Sequence, residues 1–226
     1  MQVDIRHSPS YALGRLALAP GETINVEAGA MAMHSSGIQI ESKMEGGLFN
    51  AAKRALLSGD SFFVSKFTAP QHGGWVDVAP VIPGDIVSVT LDPANPPLIL
   101  TRGVWLASEL GVQLDPKFGN AGSIFGGEGL FLVRAWGQGQ IVLTAYGALD
   151  VHSLKAGEGF TVDTGHLVAY EESVRVSVRK AATGFLNTLK SGEGLVMDLQ
   201  GPGDVITQSR NPAAFTSWIV SQVPSR

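Results

Sequence analysis

Apolar and polar residues alternate along much of this chain with the period of a β-strand. The clearest case runs from Val174 to Arg179, where valine fills every second position between Arg and Ser residues. Residues 1–6 alternate in the same way. Further strands are predicted at Leu16–Ala19, Thr23–Glu27, Phe62–Thr68, Trp75–Val78, Ile86–Leu91, Leu130–Trp136, Ile141–Tyr146, Leu167–Glu171, Leu195–Leu199 and Val205–Gln208. Many short strands separated by Gly, Pro, Asn and Asp are typical of an all-β sandwich or barrel.

Two segments have helical rather than strand periodicity. In the first, Asn50 is a candidate N-cap, Gly59 a candidate end, and the apolar positions are Leu48, Ala52, Ala55 and Leu56. In the second, residues 211–223, Asn211 precedes Pro212, and the apolar face comprises Phe215, Trp218, Ile219 and Val223. We expect both helices to cover open ends of the β core. The alternative is docking to a membrane or partner, since Lys53 and Arg54 flank the first apolar stripe.

A glycine followed by a carboxylate recurs at matched intervals, which indicates an internal repeat. The first set of pairs is Gly21-Glu22, Gly84-Asp85 and Gly157-Glu158; the second is Gly59-Asp60, Gly127-Glu128 and Gly192-Glu193. A third set of glycines, Gly74, Gly139 and Gly203, opens apolar segments. The recurrence predicts three units, at about residues 10–78, 79–148 and 149–210. No long linker separates them, so we expect one compact domain over residues 1–226.

The repeated carboxylates invite comparison with a catalytic acid and base. A catalytic pair needs two different environments that separate its pKa values, whereas matched turn positions give similar environments. An acidic side chain in a turn can instead accept hydrogen bonds from backbone N–H groups. We therefore interpret the six pairs as structural turn positions: Gly21, Glu22, Gly59, Asp60, Gly84, Asp85, Gly127, Glu128, Gly157, Glu158, Gly192 and Glu193.

Composition narrows the class of protein. The 226 residues are 44% hydrophobic and 16% charged, yet no apolar run approaches the roughly 18 to 20 residues that span a bilayer. A net charge of −4 without a basic cluster makes nucleic acid an unfavourable partner. The N-terminus lacks the features of a signal peptide, and we expect a cytoplasmic protein. With no cysteine, disulfides and thiolate chemistry are excluded.

Searches for catalytic and cofactor motifs give negative results. The five histidines contain no H-x-H pair, and His152 and His166 fall in one predicted unit, where a metal pair is the alternative to two isolated histidines. The glycine-rich stretch 119–129 lacks the Lys-Ser/Thr of a P-loop. No G-x-S-x-G sequence surrounds a serine. We predict no catalytic residue, no metal ligand and no cofactor, and hence a protein that is not an enzyme.

Several glycine and aromatic motifs are distinctive: Gly46-Gly47-Leu48-Phe49, Lys53-Arg54, Gly59-Asp60-Ser61-Phe62-Phe63, Phe67-Thr68-Ala69-Pro70, Gly126-Gly127-Glu128-Gly129-Leu130-Phe131, Ala145-Tyr146-Gly147 and Gln208-Ser209-Arg210. Together they resemble a bacterial and mitochondrial family named for altered inheritance of mitochondria. The resemblance covers nearly the whole chain, with Asp60 where Glu is more usual. It implies three antiparallel β-sandwich or barrel-like units of the double-stranded β-helix type around a pseudo-threefold axis, as in the tryptophan RNA-binding attenuation protein. It implies no established biochemical activity, only a link of mitochondrial members to inner-membrane organisation.

Three functions therefore compete. We favour a non-enzymatic β scaffold that binds a protein partner or forms a homo-oligomer, because repeated structure without converging reactive groups suits a binding surface. One alternative is a small-ligand binder with a pocket between repeats. The other is a peripheral membrane protein that makes contact through a helix near Lys53 or Trp218. The basic triplets that would grip RNA are missing apart from Arg175, Arg179 and Lys180.

Overall fold

A computed structural model describes residues 1–44, 63–115, 132–180 and 195–223 of the chain. Within these ranges the chain forms nineteen β-strands, one 3₁₀ turn at Thr164–His166 and one α-helix. The helix predicted around Leu48 and the second set of Gly-acid pairs, at residues 59–60, 127–128 and 192–193, lie outside the described residues. The glycine-rich stretch 119–129 also lies outside them.

The strands are short and follow one another closely. The first seven are β1 (Gln2–Arg6), β2 (Leu13–Leu18), β3 (Thr23–Glu27), β4 (Met31–His34), β5 (Gln39–Met44), β6 (Phe63–Thr68) and β7 (Gly74–Val78). The next six are β8 (Ile86–Leu91), β9 (Leu98–Thr101), β10 (Trp105–Glu109), β11 (Val112–Asp115), β12 (Leu132–Gly137) and β13 (Gly139–Thr144). The last six are β14 (Leu149–Leu154), β15 (Gly159–Asp163), β16 (Leu167–Glu171), β17 (Arg175–Lys180), β18 (Leu195–Gln200) and β19 (Gly203–Gln208).

Several predicted strands match the observed strands closely. Three strands, β3, β8 and β16, have the predicted bounds. Gly74, Gly139 and Gly203 each open a strand, as predicted. The predictions omitted β4, β5, β9, β10, β11, β14 and β15; of these, β14 is mostly exposed, whereas β10 is buried at four successive positions. The all-β class is confirmed.

The strands form four antiparallel sheets, which we number by their order along the chain. Sheet 1 has the order β1-β2-β7-β4 and sheet 2 the order β5-β6-β3-β10-β13-β8. Sheet 3 has the order β11-β12-β9-β16-β19-β14 and sheet 4 the order β15-β18-β17. Neighbours in sheets 2 and 3 are often far apart in sequence, since β3 pairs with β10 and β9 pairs with β16. These two pairings connect distant parts of the chain into continuous sheets.

Each pair of successive sheets shares one hydrophobic core. Leu16 and Val76 of sheet 1 meet Ile24 and Leu106 of sheet 2 in the first core. The second core joins sheets 2 and 3, and the third joins sheets 3 and 4. Sheets 2 and 3 are therefore apolar on both faces, because each lies between two others. Burial of these side chains is the main source of stability for the fold.

One face of sheet 1 carries polar side chains instead. Asp77 is buried there and accepts hydrogen bonds from the Arg15 Nε and Nη2 atoms at 2.8 and 2.9 Å and from Arg6 at 2.7 Å. Burial alone would raise the pKa of Asp77, but these hydrogen bonds and charges outweigh it and hold the pKa below its usual value. The Arg15 guanidinium also lies 3.9 Å from the centre of the Trp75 ring. The two arginines thus compensate for the buried negative charge of Asp77.

The C-terminal helix, α1, spans Pro212–Gln222. The Asn211 side chain accepts hydrogen bonds from the N–H groups of Ala213 and Ala214, at 2.9 and 3.2 Å, and so caps the helix as the sequence predicts. Phe215 packs against Tyr146 with ring centres 5.4 Å apart. No residue of α1 is buried, and Trp218 is 60% exposed. The helix therefore does not cover an open end of the core, contrary to expectation.

Candidate functional site

A cavity of about 280 Å³ lies where distant parts of the chain meet. Its lining combines the end of β3 with the segments before β8, around β9 and β10 and after β13, together with residues near α1: Glu27, Pro80, Val81, Ile82, Thr101, Arg102, Gly103, Val104, Leu106, Thr144, Ala145, Tyr146, Gln208 and Pro212. The site depends on the tertiary fold because these residues are far apart in sequence.

Glu27 is the acidic side chain in this cavity. It ends β3, whose residues Ile24 and Val26 are fully buried, so alternation places Glu27 on the other face of the strand from Val26. Segments that follow later in the chain line the cavity on that face, and they exclude much of the water around the Glu27 carboxyl group. This burial raises the pKa of Glu27 to about 7. The cavity thus contains a carboxyl group that changes charge near neutral pH.

Several polar groups in the cavity wall hold the fold together. Thr101 donates to the carbonyl oxygens of Leu167 and Val168 at 3.0 and 3.1 Å. Gln208 accepts from the Tyr146 N–H at 2.8 Å and donates to the Gly165 carbonyl at 2.8 Å. These bonds fix the shape of the cavity. They also commit these polar atoms to the protein itself.

A second, wider depression of about 570 Å³ follows the face of sheet 4. Thr161, Arg175, Ser177 and Asp198 are among its lining residues. Asp198 accepts hydrogen bonds from Thr161 at 2.6 Å and from the Arg179 Nε and Nη2 atoms at 2.7 and 3.0 Å, and these bonds lower its pKa. The depression is a polar sheet face whose one carboxylate already has partners.

Two of the predicted turn positions have the same geometry. Gly21 and Gly157 adopt positive φ angles of 71° and 86°, which favour glycine. Glu22 accepts a hydrogen bond from the Ala19 N–H at 2.8 Å, and Glu158 accepts one from the Lys155 N–H at 2.8 Å. Each carboxylate therefore closes its own turn, the kind of contact that the sequence interpretation assigned to these positions.

Gly84 and Asp85 are arranged differently. A β-carbon on Gly84 would lie 1.6 Å from the Ala145 carbonyl oxygen, so glycine is required by a close backbone approach rather than by a positive φ. Asp85 is buried and accepts hydrogen bonds from Ser8 and, at 2.9 Å, from the Ile86 N–H. The pair immediately precedes β8, whereas the other two pairs lie between β2 and β3 and between β14 and β15. The three pairs therefore do not occupy matched turn positions, and the prediction that they do was wrong for Gly84 and Asp85.

The two histidines of the third predicted unit contact different hydrogen-bond partners within the protein. His152 Nε2 lies 2.9 Å from the Thr207 hydroxyl, and His166 Nδ1 lies 2.8 Å from the Gln208 carbonyl. In the ranges that the structure describes, no three His, Asp or Glu side chains come close enough together to hold a metal ion. Nor do these ranges contain a helix with the length and apolar character needed to cross a bilayer.

Comparison with known proteins identifies the family to which this architecture belongs. Residues 3–210 match the family model described as mitochondrial biogenesis AIM24. The chain is a member of the AIM24 family, as the glycine and aromatic motifs predicted.

Two relatives from Streptococcus pyogenes match nearly the full chain. One, from serotype M6 and described as uncharacterized, is 26% identical over 233 residues, which comprise 100% of this chain and 92% of the relative. The other is a crystal structure from a structural genomics programme. It superposes with a TM-score of 0.80 at 25% identity and covers 98% of this chain and 99% of its own. These relatives support the fold and leave the biochemical function undefined.

Proposed function

We propose that this protein is a non-enzymatic β scaffold, built from three copies of a six-stranded unit, that binds a protein partner or itself through the edges of its sheets. The observation that carries this proposal is the arrangement of strand pairings. It involves residues throughout the chain, whereas the one carboxylate of the wider depression is engaged by Arg179 and Thr161.

The strand pairings support the three units. In chain order, we label the strands of a unit A (β2, β8, β14), B (β3, β9, β15), C (β4, β10, β16), D (β5, β11, β17), E (β6, β12, β18) and F (β7, β13, β19). In every unit A pairs with F, F with C, B with E, and E with D. These strands fall within the unit boundaries predicted from sequence. Such agreement is expected of a duplicated supersecondary unit.

A shared irregularity supports the same equivalence. Each C strand has a register shift where it pairs with its F strand: between Met31 and Met33, between Trp105 and Ala107, and between Leu167 and Ala169. A β-bulge is a specific local feature that inserts one extra residue into one strand. Its recurrence at the same place in three strand pairs favours a common origin over chance.

Sedimentation velocity over a range of concentrations, together with capture of partners on immobilised protein, tests the scaffold proposal. We expect either a concentration-dependent increase in mass or a specific, saturable protein partner. A monomer at every concentration that retains no partner would contradict the proposal. Turnover of a defined substrate would contradict its non-enzymatic part.

The cavity at Glu27 favours a second candidate function, binding of a small ligand between units. Its residues come from all three predicted units, and a half-buried carboxyl group can select for a basic ligand. A panel of small amines and carboxylic acids, screened by thermal unfolding, tests this candidate. A binder of the folded state raises Tm with concentration. No change in Tm with any compound in the wild type would contradict it.

Helix α1 favours a third candidate, contact with a membrane surface. Trp218, Val220 and Val223 are exposed, and the helix carries no charged residue to oppose insertion into an interface. Sedimentation with vesicles of phosphatidylcholine and phosphatidylglycerol tests this contact. Recovery of the protein in the supernatant at every lipid concentration would contradict it.

A further inference from the structure

Two strands lack a neighbour that their counterparts have. The B strand of the first unit pairs with the C strand of the second, as β3 with β10, and the B strand of the second pairs with the C strand of the third, as β9 with β16. Among the described strands, the remaining B strand, β15, is the edge of sheet 4, and the remaining C strand, β4, is the edge of sheet 1. No described strand pairs with the outer side of either, and the N–H and C=O groups of such an edge can pair with a further strand.

The burial of equivalent residues shows what these two strands lack. Ala107 and Ala169, in paired C strands, are both 0% exposed, whereas their counterpart in β4, Met33, is 47% exposed. In the B strands, Val26 and Leu100 are 0% and 1% exposed, whereas their counterpart Val162 is only partly buried. In the paired strands, the apolar side chain at this position lies in a hydrophobic core to which neighbouring units contribute.

The edge strands of types A and D differ from β4 in their position within the unit and in the charged residues that several of them carry. Strands of types A and D lie at sheet edges in the second and third units, and D also does so in the first. Several of them carry charged residues that discourage pairing, such as Glu41 in β5 and Arg179 in β17. By contrast, β4 is Met-Ala-Met-His, without a carboxylate, Lys, Arg or Pro. Only types B and C pair between units in the described structure.

We infer that β15 of one molecule pairs with β4 of a second copy of this chain. This inference rests on the proposed scaffold function and names its partner. The second copy fits because its free edge is a C strand with the same bulge as β10 and β16, the strands that the other two B strands bind. Each copy would also present its own free β15, so the contact is head-to-tail and can extend to a ring or filament.

The two observed junctions determine the register of this contact. Ala107 lies opposite Val26 and Ser108 opposite Asn25, while Ala169 lies opposite Leu100 and Tyr170 opposite Ile99. The equivalent antiparallel pairing places Met33 opposite Val162 and His34 opposite Thr161. It buries the exposed Met33 side chain against the partly buried Val162 side chain.

Disulfide trapping between two singly substituted chains tests this register. The natural chain has no cysteine, so Met33→Cys and Val162→Cys introduce the only thiols. Opposite residues in an antiparallel pair have Cα atoms about 4.5 to 5.5 Å apart, within the range that a disulfide spans. We expect the mixed variants to form a reducible dimer in high yield on mild oxidation. Met33→Cys mixed with Thr161→Cys is the matched control, because neighbouring residues of a strand point to opposite faces.

The results separate the inference from the scaffold proposal. Equal trapping in the test and control mixtures would overturn the β4–β15 contact and leave a scaffold that uses other surfaces. A double variant, Met33→Cys with Val162→Cys, that forms only an intramolecular disulfide would show that the chain closes on itself, and would also overturn it. Absence of any association in the wild type, with no partner retained, would instead contradict the scaffold.

A charge substitution provides an independent test. Met33→Lys places a charge on the free edge while leaving the core unchanged, because Met33 is already exposed in the single chain. We expect at least a tenfold weaker self-association than in the wild type, with an unchanged circular dichroism spectrum. Val151→Lys, at an exposed apolar position of the type A edge strand β14, is the control. Equal self-association of the two variants would contradict the inference.

Discussion

Glu27 and Glu158 show how differently two carboxylates of one β protein can be used. Glu158 lies in a turn and accepts the Lys155 N–H at 2.8 Å, whereas Glu27 lines a cavity where burial raises its pKa to about 7. The sequence identified Glu158 through its glycine neighbour and turn position. It gave no sign of Glu27, because the segments that bury Glu27 come from other parts of the chain.

We predict that Glu27 makes stability decrease as pH rises. Its ordinary pKa of 4.5 becomes about 7 in the folded state, so between these values the unfolded chain loses a proton that the folded chain retains. The folded state is therefore favoured least above pH 7. Since the side chain is partly solvated, Glu27→Gln should stabilise the protein by about 1 to 2 kcal/mol at pH 8 relative to wild type.

Urea unfolding at pH 4 and pH 8 measures this difference for both proteins. At pH 4 Glu27 is largely protonated in the folded and unfolded chains, so the Gln variant should match the wild type. An equal effect of the substitution at both pH values would contradict a titration of Glu27 over this range.

For Glu158 we predict a contribution through the acceptor oxygen rather than through charge. Glu158→Ala removes the bond to the Lys155 N–H and should cost about 0.5 to 1 kcal/mol of unfolding free energy. Glu158→Gln keeps an oxygen at the same place and should cost less. Chemical denaturation at pH 7 compares the two variants, and equal losses would contradict a role for the hydrogen bond.

At the scale of elements, glycines beside carboxylates serve two distinct purposes. Gly157 has a positive φ of 86°, and a methyl group added to its Cα would meet open space, with no atom within 4 Å. Gly84 instead bridges to Gly147 in a parallel contact, and its Cα faces the Ala145 carbonyl oxygen. The segment that leads into β8 is therefore held against the end of β13 by backbone contact.

These differences predict unequal costs for the same substitution. Gly84→Ala should destabilise the protein by about 3 kcal/mol, since the backbone must separate to admit a methyl group. Gly157→Ala should cost only about 1 kcal/mol, from backbone strain alone. Thermal unfolding measures both variants. Similar losses would contradict the assignment of Gly84 to a close backbone approach.

The strands that the sequence predicted and those that it missed differ in their surroundings. Alternation was clear in β17 and in β3, where one face is apolar. It was weak in β14, which is mostly exposed, and in β10, where four successive residues are buried because both faces of sheet 2 are covered. Apolar and polar residues alternate in a strand when one of its faces is buried and the other is exposed. Alternation therefore does not reveal strands that are exposed on both faces or buried on both faces.

The cavity was beyond prediction for a related reason. Glu27, Leu106 and Pro212 are widely separated in the chain, and only the pairing of β3 with β10 and the position of α1 bring them together. The second set of Gly-acid pairs, including Asp60 and Glu128, lies outside the described residues, and its turn role stays a prediction.

At the scale of the whole molecule, repetition explains why the two free edges match each other. A chain of equivalent units joined by B-to-C pairing must end with one unpaired C strand and one unpaired B strand, unless it closes into a ring. In the described structure these are β4 and β15. The scaffold proposal uses this property: the interface between units within a chain becomes the interface between chains.

Absolute molar mass, measured by light scattering over a roughly hundredfold range of concentration, tests self-association through these edges most directly. We predict that the molar mass of the wild type rises above the 23.7 kDa of one chain as concentration increases. The Val151→Lys variant should show the same increase at the same concentrations. The Met33→Lys variant should need at least a tenfold higher concentration to show it. A mass of 23.7 kDa for the wild type at every concentration would contradict self-association through these edges.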